Sequence, residues 1–480
     1  MDLKVLLINP PRHQGVSVIR EERCEVTERY SVLEPYSLLQ TGALLRNGGH
    51  QVDLIDLNGR DLGYDALQAK VKVYRPDAAV YRFTPTTFDW DQKAASTVKE
   101  VDKDVPTVGI CWTLHTMPKQ VLTEAPAQDI YVRQDYEVVA PAVVDALSKG
   151  TPLEQVNGIS FRKNGEIVNN PAATPLKDYD SMPLPAYDLL PDLKPYYVTA
   201  PAGRPFTILY TSKGCPFKCS FCTVAGTPWK MRTAPHIIEE LRYLKEHYGL
   251  RTASFFDETF TFNRQRVVDI CNALKEEDLR IKWYCNTRTH LVDGELLALM
   301  RSAGCRGMSF GIESGSQRIL DSVEKHISVQ QCRDAVLNAK AENIKVLCSF
   351  IFGLPGEDWD SVNETLQFVR ETLPTSAQFN VAVPYPGTRL HEQIYGLPGL
   401  EEPDFRQLYQ HASVVGTDKM TPADLDKARE MAYKTLYSSP QWWGSNIKHV
   451  LKEPSDLYLA FRYALKITNN YLFHGMKDAH

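Results

Sequence analysis

Three cysteines offer the most specific chemistry in the chain. Cys215, Cys219 and Cys222 lie in Ser212-Lys213-Gly214-Cys215-Pro216-Phe217-Lys218-Cys219-Ser220-Phe221-Cys222, just after the apolar run from Phe206 to Tyr210. One thiolate per iron suits an iron–sulfur cube, and a cube has one iron more than this motif has thiols. That uncovered iron is where chemistry can occur. The alternative is a structural zinc site, which favours Cys-x-x-Cys pairs and closes with a fourth Cys or His. No fourth cysteine follows before Cys271.

A reactive loop needs strands to hold it. Residues 201–395 contain six apolar runs that read as strands: Phe206–Thr211, Thr252–Phe256, Ile281–Asn286, Gly307–Ile312, Val346–Phe352 and Ala377–Pro384. Helix-like stretches such as His236–Glu246, Arg264–Lys275 and Asp293–Ser302 separate them. Six βα units predict an incomplete (β/α)6 barrel of TIM type, whose chemistry belongs at the carboxyl ends of the strands. The polar and glycine-rich motifs fall there: Asp257-Glu258-Thr259-Phe260, Asn286-Thr287-Arg288, Gly311-Ile312-Glu313-Ser314-Gly315, Gly353-Leu354-Pro355-Gly356-Glu357 and Pro384-Tyr385-Pro386-Gly387-Thr388.

Residues 1–150 repeat the alternation, with strands expected over Lys4–Asn9, Gln51–Leu57, Ala78–Phe83, Thr107–Cys111 and Asp129–Arg133. Helices are expected over Tyr36–Arg46, Asp89–Val101 and Val138–Leu147. This is the pattern of a doubly wound, Rossmann-like α/β domain that binds ligands beyond its strand ends. Residues 151–200 read as a proline-rich connector, with a hairpin turn at Asn164-Gly165. Residues 396–480 read as a helical C-terminal domain. Its Gln441-Trp442-Trp443-Gly444 and Tyr458–Leu465 stretches either pack on the barrel or form a lid reaching an apolar or lipid-like substrate.

The Cys-x3-Cys-x-aromatic-Cys spacing, together with the motifs after each strand, resembles the radical SAM superfamily. The resemblance implies a [4Fe–4S] cluster on Cys215, Cys219 and Cys222, with S-adenosylmethionine (SAM) chelating the fourth iron. It implies reductive cleavage of SAM to methionine and a 5′-deoxyadenosyl radical. By the same resemblance Phe221, Asp257, Glu258, Arg288, Glu313 and Ser314 contact SAM, and the Gly353, Leu354, Pro355 and Gly356 loop lies by its adenosine. Arg288 is the expected fork for the SAM carboxylate and Asp257 the acceptor for its amino group; the competing reading of Asp257 is a helix N-cap.

Residues 1–150 resemble the cobalamin-binding domain of one radical SAM subclass, through Ile8-Asn9-Pro10-Pro11, Glu34-Pro35-Tyr36 and Thr107-Val108-Gly109. Asn9, Pro10, Thr87, Trp112 and His115 are the rim residues that would meet cobalamin. The chain departs from the subclass at Ile110-Cys111 and at Gln134-Asp135-Tyr136-Glu137, and it has no Asp-x-His-x-x-Gly run. Two readings stay open: cobalamin-dependent methylation of an unactivated carbon, or radical cyclisation, coupling or rearrangement beside a vestigial first domain.

Composition sets the outer bounds. The 480 residues are 43% hydrophobic and 24% charged, with a net charge of −5. No basic footprint for nucleic acid appears. No apolar run has the length of a membrane span, and the opening Met1-Asp2-Leu3-Lys4 runs into a strand rather than a secretory signal. Ten cysteines without a signal fit a reducing cytoplasm. Expected partners are a small-molecule or lipid-like substrate, with peripheral membrane contact at most, and an electron donor such as flavodoxin or ferredoxin. A cluster-bearing regulator without turnover would have no need of the SAM-contact motifs.

Overall fold

A computed structural model describes residues 2–21, 26–28, 31–198, 203–395, 404–411 and 415–452. The chain divides into two compact units: Met1–Tyr197 with Tyr385–Gly387 and Asp404–Gln407, and the remainder.

The first unit is built on seven strands: β1 (Lys4–Asn9), β2 (Gln51–Asp56), β3 (Ala78–Arg82), β4 (Thr107–Ile110), β5 (Ile130–Val132), β6 (Ile159–Lys163) and β7 (Glu166–Asn169). They lie in the order β2-β1-β3-β4-β5-β6-β7. The first five are parallel, with registers such as Ile8↔Ile55 and Val80↔Val108. Strands buried on both faces need continuous apolar runs, and Val5 to Ile8 and Ala78 to Tyr81 are completely buried. The expected connector is corrected here. Its Asn164-Gly165 hairpin forms β6 and β7, which extend the same sheet antiparallel to β5. The proline-rich stretch then packs back onto the first unit, with Gln40 donating to the Pro183 carbonyl at 2.9 Å and Tyr196 to Asp56 at 2.7 Å.

The strand order places a topological switch point between β1 and β3, the usual ligand crevice of such sheets. Here a buried ion pair fills it. Arg20 Nη2 lies 2.6 Å from Asp91 Oδ1, and both side chains are almost wholly buried. Arg20 also donates to the carbonyls of Pro10 and Pro11, each at 2.9 Å. Asp91 accepts from the Thr84 amide at 3.1 Å and the Thr87 hydroxyl at 2.8 Å.

The second unit carries six strands, β8 (Phe206–Leu209), β9 (Thr252–Phe255), β10 (Lys282–Thr287), β11 (Cys305–Glu313), β12 (Lys345–Phe352) and β13 (Ser376–Val381). All are parallel and adjacent in chain order. Along β12 burial alternates: Val346, Cys348, Phe350 and Phe352 are covered, while Leu347, Ser349 and Ile351 are half-buried. The covered face meets helices, as Phe350 does Phe368 of helix Trp359–Thr372 with ring centroids 6.0 Å apart. The other face carries polar groups on neighbouring strands, Asn286 beside Ser309 and Ser349 beside Gln378.

The C-terminal helices belong to this unit instead of standing apart. In helix Pro422–Tyr437, Arg429 donates to the Phe379 carbonyl at 2.9 Å. Trp442 is buried and its indole N–H reaches the Pro374 carbonyl at 2.9 Å, so it packs on the sheet and is not a lid. Tyr458–Leu465 lies outside the described residues. No described helix is long and apolar enough to cross a membrane.

Removing one partner of a buried ion pair strands the other charge. Asp91→Ala should therefore destabilise the protein by about 3–5 kcal/mol, read as a lowered midpoint in thermal or urea unfolding.

Candidate functional site

The cysteine loop starts from a buried carboxylate. Asp257, after β9, is fully buried and accepts from the Thr211 amide and hydroxyl at 2.6 Å each and from the Ser212 hydroxyl at 2.7 Å. It thereby ties the end of β8 to the end of β9. The residue expected to accept from the SAM amino group thus has its carboxylate hydrogen-bonded to the base of the loop. It is not the N-cap of the next helix, which Asn263 caps. Glu258 is turned to the loop as well, accepting from the Gly214 amide at 3.1 Å.

The loop closes on itself. Ser212–Lys213 pairs antiparallel with Lys230–Met231. Gly214 has φ +90°, and a Cβ there would lie 2.2 Å from the Pro228 carbonyl oxygen. The Cys215 amide donates to Thr227 Oγ1 at 2.9 Å, Gly226 to the Phe217 carbonyl at 2.8 Å, and Cys222 to the Cys219 carbonyl at 3.2 Å. Cys215 and Cys219 are 9% and 6% exposed, and Cys222 is half-buried. Among the described residues no three His, Cys, Asp or Glu converge to hold a single metal ion. A cube asks something different, one thiolate per iron around a larger body, and three thiols presented on one shielded turn fit it. Phe221, expected against SAM, packs on the apolar cluster of Ile319, Val323, Leu354, Ala382 and Leu390.

Three charged side chains stand beside the loop. Arg288, following β10, is 6% exposed. Its Nη1 lies 3.2 Å from Cys219 Sγ, Nη2 donates to the Lys325 carbonyl, and the guanidinium covers the Phe217 ring at 4.0 Å. The residue expected as a fork for the SAM carboxylate thus has both prongs on the protein's own groups in this structure. Glu313, at φ +67°, accepts from Lys325 Nζ at 2.6 Å. Its carboxylate folds over Gly311, where a Cβ would come within 2.5 Å of Oε1. Lys325 was not legible in sequence, since it follows no motif and only folding brings it to Glu313. His290 is a second such residue. Burial, then Arg288 and Lys325, push its pKa down to about 4, and its buried Nδ1 has no partner.

Ser314, expected beside SAM, is 1% exposed, lies 3.3 Å from Thr365 Oγ1 and accepts from the Ser316 amide at 3.1 Å, so it fixes the turn. The loop after β12 uses positive φ at Gly353 (+89°) and Gly356 (+81°). Leu354 anchors it in the cluster that holds Phe221, and the Pro355 carbonyl accepts from Ser322 at 2.9 Å. Glu357 is completely buried and accepts from the Gly353 amide at 2.6 Å; burial pushes its carboxyl up to about 7.

In the first unit the rim residues divide. Asn9 donates to Asp56 at 2.7 Å, and with Pro10 and Thr87 it belongs to the network around Arg20 and Asp91. These three, expected at the cobalamin rim, thus make internal hydrogen bonds in this structure. Trp112 and His115 are half-buried and stack with centroids 5.1 Å apart and planes 26° apart. His115 Nδ1 lies 2.9 Å from the Trp112 carbonyl, and burial lowers the imidazole's pKa. This flat, uncharged ledge fits a planar macrocycle. Ile110 and Cys111 are buried, so bare backbone is not presented there.

A profile described as the radical SAM superfamily matches residues 209–369. An uncharacterized methyltransferase of Pyrococcus horikoshii is 33% identical over 395 residues, covering 82% of this chain and 85% of that protein. An anaerobic magnesium-protoporphyrin IX monomethyl ester cyclase of Rubrivivax gelatinosus is 30% identical over 359 residues, covering 72% of this chain and 64% of the cyclase. In fold, the chain matches the radical SAM methyltransferase TsrM of Kitasatospora setae, solved with cobalamin and a [4Fe–4S] cluster bound. That match has a TM-score of 0.69 at 17% identity and covers 92% of this chain and 90% of the other.

Two outcomes follow from the geometry. Gly214→Ala must move the Pro228 carbonyl and adopt a positive φ, so it should abolish most cluster loading, measured as iron and sulfide per chain. Glu357 keeps its proton in the fold while the unfolded chain loses it near pH 4.5. Stability should fall as pH rises from there to about 7, by up to ~1.4 kcal/mol per pH unit. In Glu357→Gln, urea unfolding across that range should lack this slope.

Proposed function

The chain belongs to the radical SAM superfamily, and from that premise we propose that it is a cobalamin-dependent radical methyltransferase acting on an unactivated carbon of a small molecule. The observation that carries the reading is the shielded three-cysteine turn after β8, with a buried ion pair and a glycine loop at the ends of β11 and β12 of the same sheet. In the sheet we read the partial barrel of the superfamily, open between β8 and β13.

The bound [4Fe–4S] cluster and one SAM would supply a 5′-deoxyadenosyl radical, and cobalamin would relay to the substrate a methyl group drawn from a second SAM, which leaves as S-adenosylhomocysteine. The residues' own work is to hold, orient and shield. Cys215, Cys219 and Cys222 would each take one iron, on a turn fixed by Asp257, Thr227 and Gly214. Glu313 and Lys325 offer opposite charges, 2.6 Å apart, to the amino and carboxylate groups of SAM. Gly353 to Gly356 would border the adenosine, where the absence of side chains at the two glycines permits close approach. Phe221 and Leu354 seal the floor of the loop against water. Trp112 and His115 would bear on the corrinoid face, with His115 neutral at physiological pH. On the partly open face of the sheet, Asn286, Ser309 and Ser349 are suited to hydrogen-bond a polar substrate.

The likeness to the ester cyclase favours a second reading, in which the radical drives ring closure or rearrangement without methyl transfer. One assay separates them. Anaerobically reconstituted protein is given SAM, reductant, hydroxocobalamin and a small-molecule extract, and S-adenosylhomocysteine and 5′-deoxyadenosine are followed together. Methyl transfer predicts matched accumulation of both, lost in Cys219→Ala. Deoxyadenosine alone would replace methylation with the second reading. SAM cleavage surviving in Cys219→Ala would sink both.

A further inference from the structure

Arg288 is a buried cation in search of an anion. Among the described residues it has no carboxylate within ion-pair distance, whereas its neighbours Lys325 and Glu313 neutralise one another at 2.6 Å. An uncompensated buried charge is costly. Besides the neutral Lys325 carbonyl and the face of the Phe217 ring, Arg288 reaches Cys219 Sγ, at 3.2 Å from Nη1. Three features hold it in that pose: the Phe217 ring 4.0 Å beneath it, the Lys325 carbonyl on Nη2, and burial to 6% exposure. Nε is buried without a partner, so the side chain keeps its aim although one donor goes unsatisfied.

We infer that Arg288 sets the reduction potential of the iron–sulfur cluster, by holding a fixed positive charge and a hydrogen bond on the Cys219 sulfur. Reduction adds an electron, and so negative charge, to the cluster. A donor and cation on a ligand sulfur stabilise that added charge, and hydrogen bonds to sulfur are among the factors that set cluster potentials. The low dielectric around the buried pair strengthens the effect. Arg288 is on this account a positioning and tuning residue, acting on the cluster through a ligand it touches. The inference rests on the cluster reading above.

The test is an electron-spin-resonance redox titration of the reconstituted full-length protein without SAM, so that no turnover enters the readout. Iron and sulfide content of the wild type comes first: absence of a four-iron cluster there would defeat the functional reading itself. With the cluster present, Arg288→Leu should shift the midpoint to more negative potential. A tenfold fall in the ratio of reduced to oxidised cluster at fixed potential corresponds to about 59 mV for one electron. Arg288→Lys, which keeps the charge but not the fork, should recover part of the shift. Phe217→Leu, which removes only the ring beneath the guanidinium, should give a smaller shift of the same sign. It carries the test if the Arg288 variants fail to load. Unchanged midpoints in the loaded variants, Phe217→Leu included, would overturn the inference.

Discussion

The second unit depends on the carboxylate of Asp257. Without it, the end of β8 and the start of the cysteine loop would have a free amide and two free hydroxyls in a water-poor place. With it, Thr211 and Ser212 are fastened to the strand beside them. A buried carboxylate that accepts three hydrogen bonds is rigid as well as satisfied. The rest of the loop inherits that fixity: Gly214 can turn because Ser212 is held, and Cys215 reaches Thr227 because Gly214 turns. Arg266 extends the same anchor, donating to the Thr211 carbonyl at 2.7 Å.

Charge is distributed around this loop with some care. Glu313 and Lys325 pair with one another, Arg288 faces the Cys219 sulfur, and burial, reinforced by Arg288 and Lys325, pushes the pKa of His290 down. The carboxylates of Asp257 and Glu258 are turned to the backbone of the loop, so Arg288 is the charged group in contact with the sulfur. The apolar floor of Phe221, Leu354, Val323 and Leu390 keeps water from screening those charges. Packing and electrostatics therefore serve the same end, and a change in either should be felt in the other.

Strand positions were legible because both units repeat the βα alternation, and a parallel sheet buried on two faces demands apolar runs that stand out. All eleven strands expected from such runs are present within a few residues. The turns at the cysteines and glycines were legible because they are local. The hydrogen-bond partners of Asp257, Ser314 and Asn9 were not. Each sits at a strand end, and its partners Thr211, Thr365 and Asp56 are brought to it by the fold. Lys325 and Arg20 were missed for the same reason, since their partners are brought to them by the fold and no spacing announces a long-range pair. The hairpin at Asn164-Gly165 was seen, but its membership in the first sheet depends on edge pairing with β5.

The first unit shows how a shared fold can be put to different internal use. At the switch point of a doubly wound sheet the strand ends diverge and leave a crevice, which must hold either a ligand or the chain's own polar groups. Arg20 and Asp91 take that place, satisfying the carbonyls of Pro10 and Pro11 and the hydroxyl of Thr87. In the proposed reading, the ligand-facing side chains lie one strand along, in the loop after β4. There Trp112 and His115 stack half-exposed, and Gly387, at φ +85°, leaves room beside His115. A Cβ on Gly387 would come within 2.9 Å of Thr116 and 3.4 Å of the His115 ring. A glycine from a distant part of the sequence thus lets the backbone pack close beside His115 and Thr116, and any side chain there would have to push one of them aside.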